Sequence, residues 1–320
     1  MILAAGFGTR LRPLTDYLPK AIVPIANKPL LDYHLRSLAS IGVKEVMINL
    51  HHLPELVKKT IRDSSTYGTQ VFYSIEVPEI LGTGGGLAQV RDFFKREESF
   101  IVINADIFNN INLRSVLEHH EKLKPLATLV VGPSSGAAKM KVVGVDSEGR
   151  IKHVPGMKAN DSLRNIPFAG IQILTPQVFD YLPIGVFSCL IRTGYRGIIE
   201  ANLPLSCFHD TNSMWKDTGT LVTYLEANLH ALSNREPFFT YPESSIKGRL
   251  HKPFLIGRDV VIDTESEIGP YAIIGDGVRV GANSIVRFSV IWPETQVPPE
   301  TKLEYGVAFD NHFLSALQSD

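Results

Sequence analysis

The residues with the clearest chemical potential stand in one run near the start of the chain, from Leu3 to Lys20, with the sequence LAAGFGTRLRPLTDYLPK. Gly6 and Gly8 permit positive φ angles and let backbone N–H groups approach anionic oxygens without an intervening Cβ atom. Arg10 and Lys20 add positive charge, the arginine as a planar fork of donors and the lysine as a point charge. The run therefore predicts a loop that binds a polyphosphate.

Two common phosphate-binding motifs do not fit this run. The chain has no G-x-x-x-x-G-K-[ST] loop, and Leu11 stands where the dinucleotide-binding fingerprint requires its third glycine. A kinase or a dehydrogenase is therefore disfavoured. The alternative to a phosphate loop is a solvated basic turn after a strand.

An aspartate at the end of a buried strand is the second chemical feature. Asp106 follows the run from Phe100 to Asn104, whose unbroken apolar residues are typical of a strand covered on both faces of a parallel sheet. Its carboxylate is therefore expected at the carboxyl edge of the sheet, where ligands bind in open α/β folds. A role in capping a turn or a helix is the alternative.

Short apolar runs alternate with helical patterns through the first half of the chain, which indicates a sheet of mainly parallel strands wrapped by helices. Pro29 begins a predicted helix that ends at Gly42. The first strand is expected to be short, because only Met1 to Ala4 precede the glycine turn. The other predicted strands are residues 43–50, 71–75, 100–104 and 126–131, followed by a hairpin over residues 142–154.

Eight residues of the C-terminal region stand at steps of six: Leu250, Ile256, Ile262, Ile268, Ile274, Val280, Val286 and Trp292. This spacing is that of a hexapeptide repeat, in which three units form one triangular coil of a left-handed parallel β-helix and the periodic side chain points inside. The predicted organisation is an α/β domain at residues 1–235, a linker at 236–249, the β-helix at 250–300 and a C-terminal tail at 301–320.

The overall composition limits the classes of protein that remain. Hydrophobic residues make up 44% of the chain and charged residues 20%, which is ordinary for a globular protein. There is no apolar run of membrane-spanning length and no secretory signal pattern, and Cys189 and Cys207 have neither metal-ligand nor disulfide spacing. We therefore expect a cytoplasmic protein without a membrane partner. The net charge of −1, without a basic cluster, also argues against a nucleic-acid partner.

The run from Leu3 to Lys20 resembles the signature of the sugar-1-phosphate nucleotidyltransferases, also called nucleotide-sugar pyrophosphorylases, L-A-G/A-G-x-G-T-R-L-x-P-L-T followed by P-K. The resemblance implies an enzyme with a Rossmann-like mixed sheet that converts a nucleoside triphosphate and a sugar-1-phosphate into a nucleotide sugar and pyrophosphate. It also implies that Lys20 contacts the reacting phosphates. The residues that it assigns to the nucleotide loop are Leu3, Ala4, Ala5, Gly6, Gly8, Thr9 and Arg10.

The same resemblance assigns roles to residues further along the chain. Trp215 to Thr220 is similar to the W-x-D-x-G-T segment of the family, which implies that Asp217 holds Mg²⁺ together with Asp106. Hard oxygen ligands suit that ion. The segment EILGTGGG from Glu79 to Gly86 matches the family's E-P-L-G-T-A-G, which lies along the base and ribose. The implied nucleotide contacts there are Glu79, Gly84 and Gly85, and the implied sugar contacts are Gly170 and Glu200.

The motifs that bear on the substrate do not agree with one another. Residues 49–55 resemble mannose-1-phosphate guanylyltransferases, whereas residues 83–86 and 168–170 are more similar to N-acetylmuramate-1-phosphate uridylyltransferases. In many members an E-K-P triplet binds the sugar phosphate, whereas this chain has IKHVPG at the corresponding residues 151–156. We expect guanylyl transfer to mannose-1-phosphate, with uridylyl or thymidylyl transfer to another sugar-1-phosphate such as N-acetylmuramate-1-phosphate or glucose-1-phosphate as the alternative.

A regulatory subunit that senses a nucleotide sugar without making it is the alternative of another class. Such relatives commonly lose the loop arginine, the lysine or the aspartates, and this chain keeps Arg10, Lys20, Asp106 and Asp217. An enzyme is therefore favoured. The exposed coil ends of the predicted β-helix also predict a homo-oligomer, because unpaired strand edges attract partners.

Overall fold

Most strands of the first 217 residues join one sheet. The computed structural model describes residues 1–61, 64–133, 141–158, 160–233 and 244–318. In chain order the strands are β1 Ile2–Leu3, β2 Pro24–Ile25, β3 Lys28–Pro29, β4 Glu45–Leu50, β5 Gln70–Ile75, β6 Phe100–Asn104, β7 Ile107–Asn109, β8 Ala127–Val131, β9 Val142–Val145, β10 Ile151–His153, β11 Arg164–Leu174, β12 Leu205–His209 and β13 Trp215–Asp217.

The main sheet is mixed and contains nine strands, seven of them in the order β10-β9-β11-β6-β1-β4-β5, with β8 beside β11 and β12 beside β8. Strands β6, β1, β4 and β5 run parallel to one another, and β11 runs antiparallel to β6, β8 and β9. The two-residue β1 pairs on both sides, with β4 and with β6. The predicted mixed α/β fold is confirmed, and so is the hairpin of β9 and β10.

Helices connect the strands and cover both faces of the sheet. The helices are α1 Leu14–Tyr17, α2 Leu30–Ser40, α3 Pro54–Thr60, α4 Gly82–Gln89, α5 Arg91–Phe94, α6 Leu113–Leu123, α7 Arg196–Glu200 and α8 Leu221–Ser233. In the described part of the chain, none of the helices has the length and apolar character needed to cross a membrane.

Two apolar clusters lie on opposite faces of the sheet. Phe100 and Val102 of β6 belong to one cluster and Ile103 to the other, and Leu129 and Val130 of β8 divide in the same way. Because successive side chains of a strand point to opposite faces, this division shows that both faces of these central strands are buried. The unbroken apolar runs in the sequence arise from this arrangement.

Contacts divide the chain into two compact units. The first comprises Met1–Thr9, Leu18–Ile22 and Leu31–Asp217, and the second comprises Arg10–Tyr17, Val23–Leu30 and Thr218–Asp320. The second unit therefore includes α8 and the short β2–β3 hairpin as well as the C-terminal region. This division by contacts falls after Asp217 rather than near residue 235, and the predicted domain boundary stays a prediction.

Hydrogen bonds explain why the β2–β3 hairpin groups with the C-terminal region. Asn228 of α8 accepts a hydrogen bond from the Ala26 N–H group at 2.8 Å. Tyr224 of the same helix donates its hydroxyl to the Pro24 carbonyl at 2.7 Å and accepts a hydrogen bond from the Trp292 indole at 2.9 Å. These groups are buried, so the bonds satisfy polar atoms that would otherwise be costly to desolvate.

The C-terminal region is a parallel β-helix, as predicted. Three stacks of parallel strands run along it, in the orders β14-β17-β20-β23, β15-β18-β21-β24 and β16-β19-β22-β25, and antiparallel β26 follows β25. The strands are β14 Ser245–Ile246, β15 Arg249–Leu250, β16 Phe254–Ile256, β17 Val261–Ile262, β18 Glu267–Ile268, β19 Ala272–Ile274, β20 Arg279–Val280, β21 Ile285–Arg287, β22 Ser289–Ile291, β23 Gln296–Val297, β24 Lys302–Glu304, β25 Gly306–Phe309 and β26 His312–Ser315.

The last of the eight predicted inward positions is wrong by one residue. Ile274 pairs with Ile291 rather than with Trp292, and Ile291 belongs to the core of the β-helix. The connection after Val286 is one residue shorter than the repeat predicts, so the phase of the pattern shifts there. Trp292 is instead directed to α8 through its hydrogen bond to Tyr224.

The predicted limits of the β-helix are also corrected. Two strands that the prediction placed in the linker or at its border already pair with later strands of the β-helix. They are Ser245–Ile246 and Arg249–Leu250. Two strands that the prediction placed in the C-terminal tail continue the stacks, Lys302–Glu304 and Gly306–Phe309. The phase shift near Ile291 explains why the six-residue pattern does not extend to the C-terminal pair of segments. The part of the predicted linker at residues 236–243 lies outside the described residues.

The phase shift leads to a stability prediction. Replacing the fully buried Ile291 with alanine is expected to lower the free energy of unfolding by about 2–5 kcal/mol, because it leaves a cavity between coils. Replacing the partly exposed Ile285 with alanine should cost less than about 1 kcal/mol. Urea unfolding of both variants measures the difference, and equal losses would contradict the shifted phase.

Candidate active site

Strand pairing brings two distant aspartates to one edge of the main sheet. Asp106 follows β6, and the neighbouring Ala105 N–H group donates a hydrogen bond to the Leu3 carbonyl of β1 at 3.0 Å. Strand β7 then pairs antiparallel with β13, which sets Ile107 opposite Asp217. The carboxylates of Asp106 and Asp217 therefore meet beside the end of β1.

Lys20 lies between the two carboxylates. Its Nζ atom is 2.7 Å from Asp106 Oδ2 and 3.0 Å from Asp217 Oδ1. The lysine side chain is 9% exposed, the Asp217 side chain 16% and the Asp106 side chain 35%. A charged group this deeply buried requires partners of opposite charge, and here two partners converge on a single cation.

The position of the Lys20 ammonium group is a test of the predicted Mg²⁺ site. Both carboxylates contact one positive group, the Lys20 ammonium. Among the described residues, no three His, Cys, Asp or Glu side chains gather at one point. A pair of carboxylates is the donor set expected for Mg²⁺, which keeps water and phosphate oxygens in its shell. The chemistry of the pair therefore fits this ion.

A buried histidine supports the segment that carries Asp106. His34 of α2 is 2% exposed, and its Nε2 atom donates a hydrogen bond to the Ala105 carbonyl at 3.2 Å. Burial lowers the pKa of His34 to about 4, so the ring is neutral near pH 7. The sequence offers no signal for this contact, because a single histidine in an apolar helix gives no indication of its partner.

The two glycines of the loop after β1 have different backbone conformations. Gly8 has a φ of +66°, a value that favours glycine, whereas Gly6 is not among the residues with positive φ. An added Cβ atom at Gly6 would meet nothing within 4 Å, so the backbone there is open to approach. Glycine at position 6 therefore does not serve a positive φ, and the accessibility of Gly6 comes from the exposed course of the loop.

The other predicted loop residues range from buried to exposed. Ala5 is 5% exposed, Leu3 and Ala4 are partly buried, and Thr9 and Arg10 are exposed in a 3₁₀ turn over Thr9–Leu11. Arg10 groups with the second compact unit. The first unit thus brings together Lys20, Asp106, Asp217 and the loop up to Thr9.

The glycines of α4 are packed against another segment. Gly84 and Gly85 are buried, and their N–H groups donate hydrogen bonds to the Ser188 carbonyl at 2.8 and 3.4 Å. An added Cβ atom would lie 2.6 Å from Ser188 Oγ at Gly84 and 2.5 Å from the Val186 carbonyl oxygen at Gly85. The need for glycine here is explained by close packing, and nucleotide binding by these residues stays a prediction.

The predicted acid Glu79 is exposed on the bend before α4. The buried acid of the segment is Glu76, which is 0% exposed and directly follows β5. Its Oε1 atom accepts a hydrogen bond from Asn49 Nδ2 at 2.6 Å, and Oε2 accepts one from the Leu81 N–H group at 2.7 Å. Sequence reasoning missed Glu76 and Asn49, although polar residues at the ends of apolar strands are a usable signal.

The two predicted sugar contacts have different surroundings. Gly170 in β11 has a φ of +74°, and an added Cβ atom would lie 2.8 Å from Ile107 Cγ1 and 3.0 Å from Asn104 Nδ2. It therefore packs against residues on both sides of Asp106 in the chain. Glu200 is at the end of α7, where it pairs with Arg196 at 2.7 Å, and both side chains are about half exposed.

Comparison with known proteins adds the family context. A family model described as nucleotidyl transferase matches residues 1–234. A UTP–glucose-1-phosphate uridylyltransferase from Synechocystis sp. is 28% identical over 303 residues, covering 89% of this chain and 77% of the relative. A mannose-1-phosphate guanyltransferase from Yarrowia lipolytica is 30% identical over 281 residues, covering 84% of this chain and 72% of the relative.

A solved structure has the same fold. The structure of HddC from Yersinia pseudotuberculosis superposes with a TM-score of 0.59 at 22% sequence identity, covering 72% of this chain and 97% of HddC. At this identity the likeness concerns the fold alone.

Proposed function

This chain belongs to the nucleotidyl transferase family and is a sugar-1-phosphate nucleotidyltransferase, and we propose that it forms GDP-mannose from GTP and mannose-1-phosphate. The observation that carries the catalytic part of the proposal is the Lys20 ammonium group, held by Asp106 and Asp217 at the end of β1. The arrangement supports the proposal because the Lys20 ammonium and the two carboxylates lie beside the start of the glycine loop, which we propose binds the phosphates.

The proposed reaction is an in-line displacement at phosphorus. A phosphate oxygen of the sugar-1-phosphate attacks the α-phosphorus of the nucleoside triphosphate. A new P–O bond forms while the bond from the α-phosphorus to the oxygen that bridges to the β-phosphate breaks, and pyrophosphate leaves with that electron pair. The attacking oxygen is already ionised, so no residue has to act as a general base.

The protein groups act by positioning and by charge. The Lys20 ammonium has three N–H donors, so it can donate to a phosphate oxygen and to a carboxylate at once. Arg10 is exposed and presents a planar fork of donors suited to the oxygens of the departing pyrophosphate. Negative charge spreads over these oxygens in the transition state, and fixed positive groups near them lower the barrier.

Asp106 and Asp217 are the residues that would hold Mg²⁺. When bound there, the ion supplies positive charge to the phosphate oxygens of the nucleotide. The two carboxylates fit this role because both contact one positive group, the Lys20 ammonium.

The choice of GTP and mannose-1-phosphate rests on similarity and is the finer part of the proposal. Guanylyltransferases acting on mannose-1-phosphate from Yarrowia lipolytica and Arabidopsis thaliana are 30% and 29% identical to this chain. The segment at residues 49–55 resembles the same group. UTP with glucose-1-phosphate is the second candidate, favoured by the Synechocystis relative that covers 89% of the chain.

A matrix of substrates tests the proposal. Pyrophosphate release is measured for GTP, UTP, dTTP and ATP, each with mannose-1-phosphate, glucose-1-phosphate and N-acetylmuramate-1-phosphate, in Mg²⁺ and in EDTA. The expected result is that GTP with mannose-1-phosphate has the highest kcat/KM and that EDTA abolishes release. A higher kcat/KM for another pair would replace the proposed substrates. No release with any pair, together with tight binding of a nucleotide sugar, would indicate a regulatory subunit instead.

A further inference from the structure

The carboxylate of Glu76 is fully buried in the first unit and both of its oxygens accept hydrogen bonds. The Glu76 carbonyl also accepts a bond from the ring of His51 at 2.8 Å. A buried carboxylate is costly unless its oxygens are paired. The groups that pair with this one come from different segments of the chain, so the carboxylate connects them.

Asn49 extends the network to the loop after β1. Its Nδ2 atom donates to Glu76 Oε1 at 2.6 Å, and its Oδ1 atom accepts the Ala4 N–H group at 2.9 Å. Ala4 is the first residue after β1 and begins the glycine loop. The Asn49 amide thus links the Glu76 carboxylate to the backbone of that loop.

Helix α4 contacts Glu76 at two points, the residue before its start and Gly86 within it. Glu76 Oε2 accepts the N–H group of Leu81, the residue before α4. An added Cβ atom at Gly86 would lie 2.3 Å from Glu76 Oε1 and 2.7 Å from Asn49 Nδ2. The helix therefore packs directly on the Glu76–Asn49 pair, and neither side chain has room to move toward it.

Only one assignment of donors and acceptors satisfies every hydrogen bond of this network. The Ala4 and Leu81 backbone groups are donors, so the atoms facing them must accept. Asn49 must then present its NH₂ group to residue 76, and residue 76 must accept on both of its polar atoms. A carboxylate meets this requirement, whereas an amide at position 76 would present a donor to the Asn49 donor.

We propose that Glu76 is a positioning residue that, through Asn49, holds the loop from Ala4 to Thr9 and the start of α4 in the arrangement that binds the nucleotide. This inference rests on the proposed function, since it assumes that both segments contact the nucleoside triphosphate. Glu76 does not touch the substrate in this scheme. It acts through the backbone of the two segments, and its effect is therefore on nucleotide binding.

Exchange of the two polar groups tests this proposal. Glu76→Gln creates the donor–donor conflict, and Asn49→Asp sets two carboxylates against each other. The double variant Asn49→Asp/Glu76→Gln restores one donor facing one acceptor and keeps both acceptors for Ala4 and Leu81. Glu118→Gln on the exposed surface of α6 is the matched control.

The kinetic readout is the KM for the nucleoside triphosphate that the wild type uses best, GTP in the first instance. Each single variant is expected to raise this KM by about tenfold or more, with kcat at saturation within about threefold. The double variant should return KM to within about threefold of the wild type. A general loss of stability alone would lower the amount of active enzyme, and so the apparent kcat, without raising the KM.

Amide hydrogen exchange gives a second readout that needs no substrate. Residues 4–9 and 81–86 should exchange faster in Glu76→Gln and return to wild-type rates in the double variant. Should Glu76→Gln fail to fold, Asn49→Ser removes the amide that links Glu76 to Ala4 and should raise the KM and the exchange of residues 4–9. A double variant no better than the singles, with a wild-type melting temperature, would overturn the proposal. A wild type inactive with every substrate pair would refute the proposed function, and the exchange rates would still decide the role of Glu76.

Discussion

Replacement of Lys20 with alanine is expected to lower turnover at least about hundredfold, because it removes the buried positive charge nearest to Asp106 and Asp217. The same change removes the ammonium group that contacts both carboxylates. The metal-free variant should therefore be less stable than the wild type, since like charges at close range repel. Steady-state pyrophosphate release and the melting temperature in EDTA measure the two effects.

Metal dependence distinguishes this expectation from simple unfolding. In the Lys20→Ala variant, millimolar Mg²⁺ without nucleotide should raise the melting temperature more than in the wild type, because the ion no longer competes with the ammonium group. Lys122→Ala on the exposed surface of α6 is the control and should change neither turnover nor the response to Mg²⁺. Turnover of Lys20→Ala near the wild-type value would exclude a catalytic role for the lysine.

The second large effect is expected from the paired aspartates. Asp106→Asn and Asp217→Asn each keep the shape of the side chain while removing its charge, and each should reduce kcat at least about hundredfold. If the two carboxylates hold one cation, the double variant should be little worse than the more affected single variant, because groups that act as a unit are not additive. Single-turnover rates and a complete double-mutant cycle measure this coupling.

The control for the aspartate variants is Asp92→Asn, whose side chain is 81% exposed and pairs with the surface residue Lys95. It should retain wild-type turnover. Losses at Asp106 and Asp217 that multiply independently would mean that the two residues serve separate purposes. In that case the shared cation site is wrong, even if both residues prove important.

The sequence was most informative where chemistry is local. The run from Leu3 to Lys20 carries its glycines, charges and strand end within one short segment, so its type can be recognised without knowledge of the fold. Asp106 follows a strand whose apolar character alone indicates burial in a parallel sheet. The six-residue spacing predicts a β-helix for the same reason, since each repeat forms one small unit of structure.

The sequence was less informative where neighbouring residues come from separate elements. Glu79 attracts attention because it matches a motif, yet it is exposed, whereas Glu76 is buried and pairs with Asn49 of a different strand. The polar character of Glu76 can be seen in the sequence, but its partner depends on the alignment of β4 with β5. Likewise, the inward place of Ile291 depends on the length of one connection.

The amino-acid sequence by itself determined the class of this protein and the presence of a β-helix and predicted the type of its glycine loop, because each depends on residues close together in the chain. Only the tertiary structure decided that Lys20 would lie between Asp106 and Asp217. That contact requires β1 to pair with β6 and β7 with β13 in one register. The register between distant strands is set by the packing of the whole sheet, and a local sequence pattern does not specify that packing.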